Sequence, residues 1–354
     1  MKKVVSLLLV IVMILSLAAC GSKSSDSGSP GSNSGSPSSD SEKPIKVKVA
    51  TLAADETPIN QFVYKFEEEV DRLLPGRFEW TNYINGAMGN EREIGEAVIN
   101  GDVQASIPAC SVMASVIPLT TTILQDCFFL FHGVEHMYQC LDAGYRDAMD
   151  QDYEKYGGVN VGYLYYTSQE IGNTKKPVKV PDDLKGLKIR CYESAAPFAF
   201  LQGVGAIPVT MAWGELYTAM QQGTIDGIYT SRNSFGSSGK LAEVNKYHTL
   251  LESTTTGWAL TFNKEWFDAL PADAQEAFMQ AGKVAEEWAR YEGSVGISAT
   301  DLEFFEECGV EVYQPTDAEM ELWKAAAKEY SWPIIQETVG EELWAKALEW
   351  SELG

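Results

Sequence analysis

The chain has 354 residues, 45% of them hydrophobic and 11% aromatic, and carries 50 acidic against 27 basic side chains, for a net charge of −23. That acidity argues against a nucleic-acid partner, and the length admits two domains. The six cysteines form no CxxC pair, and no P-loop, G-x-S-x-G or Ser/His/Asp spacing occurs, so redox, nucleotide-hydrolysing and serine-hydrolase readings lose their usual signatures.

The first twenty residues have the form of a secretory leader. Lys2 and Lys3 precede an apolar run from Val4 to Leu17, too short to favour a spanning helix. Leu17-Ala18-Ala19-Cys20, followed by Gly21, looks like a bacterial lipobox, which implies cleavage after residue 19 and lipidation of Cys20. Residues 21–43 are mostly Ser, Gly and Pro with no apolar side chain to bury, and read as a disordered tether reaching roughly 25–30 Å. The expected localisation is therefore extracytoplasmic, with the body lipid-anchored to the cell membrane.

Beyond the tether, Ile45–Val49 alternates as a half-buried strand, and Phe62, Phe66, Val70 and Leu73 recur at helical spacing. Pro75-Gly76 ends that helix, Arg77–Trp80 alternates again, residues 91–100 read as a helix closed by Gly101, and Val103–Ile107 as a strand. The order repeats with Val159–Leu164, Leu187–Arg190, a helix carrying Trp213, Leu216, Tyr217 and Met220, and Ile225–Ile228. This order predicts α/β lobes with largely parallel sheets, and two of them, because one sheet would need too many strands. Pro271 to Cys308 predicts a helix, or a helix pair, of roughly 50 Å, long enough to span both lobes. Residues 316–353 predict a helical end interrupted at Pro333.

Arg190 closes the strand Leu187-Lys188-Ile189-Arg190, where ligands collect in α/β folds, and a guanidinium is a natural fork for a carboxylate. A surface arginine is the plain alternative. Gly203–Gly227 combines a glycine-rich turn, a short strand and a helix, and places Trp213 where it could wall a pocket or fill a core. Its glycines do not form a dinucleotide fingerprint.

Together these stretches resemble the solute-binding proteins of tripartite ATP-independent periplasmic (TRAP) transporters. The family run "DLKGLKIR" is matched by Asp183–Arg190, and its "GA-x-P-V … E-x-Y-x-A-(L/M)-Q-x-G-x-(V/I)-D-G" by Gly205–Gly227. A weaker match is Asn85–Glu93 to "GQLGNERE", and the likeness spans about residues 45–315. The resemblance implies a two-lobed, periplasmic-binding-protein-like α/β fold with a long helix spanning both lobes. It implies a small organic acid held between the lobes and TRAP permease membrane subunits as partner; a monomer that uses no cofactor is expected.

Expected boundaries are 1–19 for the leader and 20–43 for the lipidated cysteine and tether. Lobe I is expected over 44–167 plus about 255–295, and lobe II over 168–254 plus about 296–354.

The resemblance also assigns site residues. The family arginine that pairs with the ligand carboxylate falls on Arg190, an aromatic position on Trp213, and pocket-side acidic positions on Glu91 and Glu193. Departures from the family pattern place Gln169 or Glu170 where many acid-binding members have a second arginine, Tyr229-Thr230-Ser231 in place of E-N-P, and Cys110 in place of a pocket glutamate. The candidate ligand set is therefore Arg190, Trp213, Glu91, Glu193, Glu170, Thr230, Cys110 and Tyr229. One arginine facing Glu91, Glu170 and Glu193 would receive a dicarboxylate poorly. A monocarboxylate with a neutral or hydroxylated body, such as a sugar acid, or a zwitterion, is expected instead, with Tyr163, Tyr165, Tyr166, Tyr192 and Tyr229 as possible stacking partners.

Three other readings stand beside it. A lipid-anchored ligand sensor would share the fold without transport, and the binding protein of an ATP-driven transporter would differ only in its membrane partner. An enzyme would rest on His132, Glu135 and His136, the H-x-x-E-H pattern of one class of zinc peptidases. Gly133 sets His132 outside the helix that starts near Glu135 and off the face of His136, which argues against a zinc pair.

Overall fold

A computed structural model describes residues 43–236, 239–293 and 297–353. The leader, Cys20 and the tether up to residue 42 lie outside the described residues.

The strands are β1 (Ile45–Ala50), β2 (Phe78–Tyr83), β3 (Ala105–Ser106), β4 (Gly158–Asn173), β5 (Lys188–Cys191), β6 (Ile207–Thr210), β7 (Gly227–Ser231), β8 (Tyr247–Thr249), β9 (Thr255–Asn263) and β10 (Glu311–Tyr313). They pair in the order β2-β1-β3-β9-β4-β7-β5-β6, with β8 on β4 and β10 on β8. β4 joins two sheets. Its first part, through Ser168, pairs with β9, and Gln169–Asn173 pairs with β7. Through β4 the two parts form one continuous ten-stranded sheet, so the expectation that one sheet would need too many strands is corrected. β4 is buried along its whole length, so it lacks the alternation that would have marked its true extent. The sheets are also mixed. β1-β2, β1-β3, β5-β6 and β5-β7 are parallel, whereas β4 and β9 run antiparallel to all their partners.

Each sheet has its own core. Phe62, Phe66 and Val70, from the helix Pro58–Leu73, pack with Phe78, Phe262 and Phe278 on the first sheet. Burying a phenylalanine such as Phe278 contributes about 2–3 kcal/mol. On the second sheet Ile189, Phe200 and Tyr229 form one cluster, and Ile228, Phe235 and Phe305 another. The helix Ala272–Trp288 sends Ala274, Phe278, Ala281 and Ala285 into the first core. After a wider turn at Ala289–Gly293, the helix Ile297–Glu307 brings Leu302 and Phe305 to the second core. This helical run thus serves both lobes, as its length suggested.

The C-terminal segment breaks at Ser331, between helices Asp317–Tyr330 and Trp332–Ser351, and Pro333 sits in the first turn of the second helix, where its missing N–H costs nothing. The last turn of that helix is held by the H-x-x-E-H stretch. His136 Nε2 lies 3.0 Å from the Trp350 carbonyl, and His132 Nε2 lies 3.1 Å from that of Ser351. Gly133, with φ 97°, does place His132 ahead of the helix Val134–Cys140. The expectation that the rings diverge is corrected: they stack at 4.9 Å, and the His132 N–H donates to His136 Nδ1. Glu135 pairs with Arg290 at 2.7 Å. These groups are spent on packing the chain end, and among the described residues no group of three or more His, Cys, Asp or Glu could hold a metal ion.

Candidate functional site

A cavity of about 430 Å³ lies along the line where β4 passes from one sheet to the other. The first sheet's side contributes Leu52, Asn85, Glu91, Ser111 and Trp258, and the second contributes Arg190, Tyr192, Trp213, Thr230 and Asn233. Tyr166 and Gln169 of β4 lie between them.

Arg190 is the cation of the cavity. In β5 the Lys188 side chain is exposed and Ile189 is in the core, while Arg190 is only 5% exposed. Its Nε and Nη2 donate to the Met211 carbonyl at 3.0 and 2.9 Å. Burial pushes its pKa down to about 10, against the pull of nearby groups that include Glu91. The other six arginines each lie within 4.0 Å of a carboxylate, whereas Arg190 has none that close among the described residues. A buried charge without a counter-charge is costly.

Glu91 opens the helix Glu91–Asn100, whose start is fixed by a capping box between Asn90 and Glu93. Its Oε1 accepts from the Ala109 N–H at 2.7 Å. Burial pushes its carboxyl above the usual range, opposed by that N–H, by the Arg190 charge and by the Trp258 indole. Tyr166 and Trp258 stack at 5.1 Å with an interplanar angle of 22°, and Asn233 Nδ2 donates to the Tyr166 hydroxyl at 2.8 Å. Trp213 lies half-buried in the short turn Trp213–Glu215.

Of the candidate residues, the cavity brings together Arg190, Trp213, Glu91 and Thr230. The other four line no part of it. Side chains alternate along a strand, so Gln169 faces the cavity and Glu170 points behind it. There Glu170 is fully buried, with Arg232 Nε at 2.9 Å, Arg232 Nη2 also in contact, and His248 Nε2 at 2.5 Å. Tyr229 stacks between Phe128 and Tyr192, with its hydroxyl 3.1 Å from Ser253 Oγ. Cys110 is buried in the core beside Met113 and Tyr153. Glu193 is exposed, with an oxygen 3.7 Å from Arg92. The expected ring of three glutamates around one arginine is therefore reduced to Glu91.

Trp258 was not foreseen, because β9 is buried on both faces and its period marks neither as special. Asn85 lies in an Asn-Gly pair, the signal in the sequence for a turn that brings short side chains to a rim, and it adopts φ 55°.

Residues 49–337 match the family "DctP: Bacterial extracellular solute-binding protein, family 7". A solute-binding protein of Verminephrobacter eiseniae is 32% identical over 218 residues, 62% of this chain and 64% of that protein, so just under two thirds of that relative is matched. The 2,3-diketo-L-gulonate-binding periplasmic protein of Escherichia coli (strain K12) is 27% identical over 72% of this chain and 76% of its own. The crystal structure of a TRAP periplasmic solute-binding protein from Sulfurospirillum deleyianum DSM 6946, with bound succinate, is 26% identical, with a TM-score of 0.78 over 85% of this chain and 97% of that one. With the family match covering most of the described body, the chain belongs to bacterial extracellular solute-binding protein family 7, the DctP family of TRAP solute-binding proteins.

Proposed function

We propose that the protein captures a small organic monocarboxylate with a hydroxylated or amino-bearing body, and delivers it to a TRAP permease from an extracytoplasmic position held by lipid on Cys20. Arg190 carries the proposal: a buried guanidinium, without a carboxylate partner among the described residues, facing a cavity of about 430 Å³. A carboxylate there would complete the hydrogen bonding of the fork and restore charge balance. The rest of the lining supports a polar ligand body. Asn85, Gln169, Thr230, Ser234 and Asn233 offer donors and acceptors, and Tyr166, Trp213 and Trp258 offer faces.

Glu91 bears on the ligand's charge. A second carboxylate would share the cavity with it, and like charges within ~4–6 Å oppose each other. An ammonium or hydroxyl would meet it favourably. Relatives at similar distance differ on this point, since one is named for a sugar acid and another holds succinate. The choice therefore rests on this chain's own lining.

Calorimetry of the protein against succinate, galactonate, 2,3-diketo-L-gulonate and a set of amino acids tests the reading. Binding of a sugar acid or a zwitterion, with succinate weaker, is expected. Tight succinate binding with no response to the others would overturn it. Uptake through a TRAP permease that depends on this protein separates delivery from sensing.

A further inference from the structure

Behind the cavity, Ser111, Gln169 and Tyr192 also border a small chamber of about 10 Å³ whose wall carries Asp126. Asp126 ends the turn Thr122–Asp126 and is 3% exposed. It faces hydroxyls rather than a cation. The Tyr192 hydroxyl donates to Oδ1 at 2.7 Å, and Ser194 Oγ donates to Oδ2 at 2.6 Å. The other titratable groups around it are the phenols of Tyr145 and Tyr229 and the thiols of Cys110, Cys127 and Cys191. Burial pushes its carboxyl up to about 6, against both hydroxyl bonds.

Two further observations show that this fork is specific. Ser194 stands at the N-cap of the helix Ala195–Gly203, where a serine usually accepts from its own helix, yet its side chain makes no cap bond. Its hydroxyl is committed to Asp126 instead. Tyr192 and Ser194 also flank the exit of β5, two and four residues past Arg190. One carboxylate from a distant segment thus grips both ends of the turn that leads away from the arginine.

We propose that Asp126 is a positioning residue for ligand capture, setting the Tyr192 wall of the cavity and the path of the chain after Arg190. The inference rests on the cavity being the ligand site.

The test is a double-mutant cycle on the dissociation constant of the full-length protein, read by calorimetry with whichever of galactonate, 2,3-diketo-L-gulonate or succinate the wild type binds. Asp126→Asn and Tyr192→Phe should each weaken binding about tenfold, and together no more than about tenfold, because they break one linkage. Asp126→Glu, which keeps a carboxylate for both hydroxyls, should recover part of the affinity lost in Asp126→Asn, which a merely structural loss would not. If Asp126→Asn does not fold, Tyr192→Phe with Ser194→Ala carries the same cycle. Losses that multiply to about a hundredfold, or wild-type affinity in Asp126→Asn, would overturn the role of Asp126 alone. Failure of the wild type to bind any of the three acids would overturn the cavity reading, and this inference with it.

Discussion

Arg190 and Met211 are joined by two hydrogen bonds, with Nε and Nη2 of the guanidinium converging on one carbonyl at 3.0 and 2.9 Å. This fixes the plane of the fork and, two residues on, the turn that carries Trp213. A lysine offers one compact ammonium and cannot hold the carbonyl and a bidentate ligand together. Arg190→Lys should therefore weaken ligand binding about a hundredfold, roughly 3 kcal/mol, by calorimetry. A change within about threefold would remove Arg190 as the anchor.

If the cavity holds the ligand, Glu91 should make binding pH-dependent. Its carboxyl is already raised by burial, and a ligand anion neutralises the Arg190 charge that opposed the rise. The complex therefore holds the Glu91 proton more tightly than the free protein does. Affinity is expected to fall as the pH rises through the Glu91 titration, provided the ligand body is anionic or neutral. Glu91→Gln should remove most of this slope in a series of dissociation constants against pH. An amine-bearing ligand would reverse the trend, because charged Glu91 would attract it.

A second buried carboxyl governs stability rather than binding. Glu67 is raised to about 7, chiefly by burial, with Asn82 Nδ2 donating to Oε2 at 3.0 Å. Its Oε1 and Asn82 Oδ1 are both buried without a partner. The folded-state value lies above the unfolded one, so this group favours folding at low pH, and the benefit is lost as the pH rises from about 4.5 to about 7. Glu67→Gln supplies an N–H for Asn82 Oδ1 and removes the charge. It should stabilise the fold at pH ~8 by on the order of 2–3 kcal/mol, read as a higher melting temperature, and have little effect at pH ~4.5.

Gly282 marks where the helix shared by both lobes crosses β4. A Cβ there would stand 1.6 Å from the Val161 carbonyl oxygen, a backbone atom that cannot move aside cheaply. In an open helix, Gly→Ala gains up to ~1 kcal/mol. Here Gly282→Ala should destabilise by roughly 1–3 kcal/mol or more, read as a fall in the denaturant midpoint.

Part of this was legible in the chain and part was not. β1, β5 and the helices Pro58–Leu73 and Glu91–Asn100 carry clear periods, and the family motifs brought Arg190, Trp213, Glu91 and Thr230 to one cavity. β4 carries no period, so the sides of Gln169 and Glu170 could not be told apart. Glu170 looked like a wall of the site because its partner Arg232 lies 62 residues away, and that pairing exists only once β7 lies beside β4. Tyr229 and Cys110 sit beside cavity residues in sequence but face the core. Trp258 comes to the site through antiparallel pairing with Leu164, a long-range register that no local pattern encodes.

The most direct test is a crystal structure of the protein with the ligand that co-purifies with it. The account predicts a carboxylate with both oxygens within hydrogen-bond distance of the Arg190 guanidinium and the ligand body between Tyr166, Trp213 and Trp258. A ligand lodged in the cavity with Arg190 still bonded only to Met211, or a ligand without an acidic group, would contradict it.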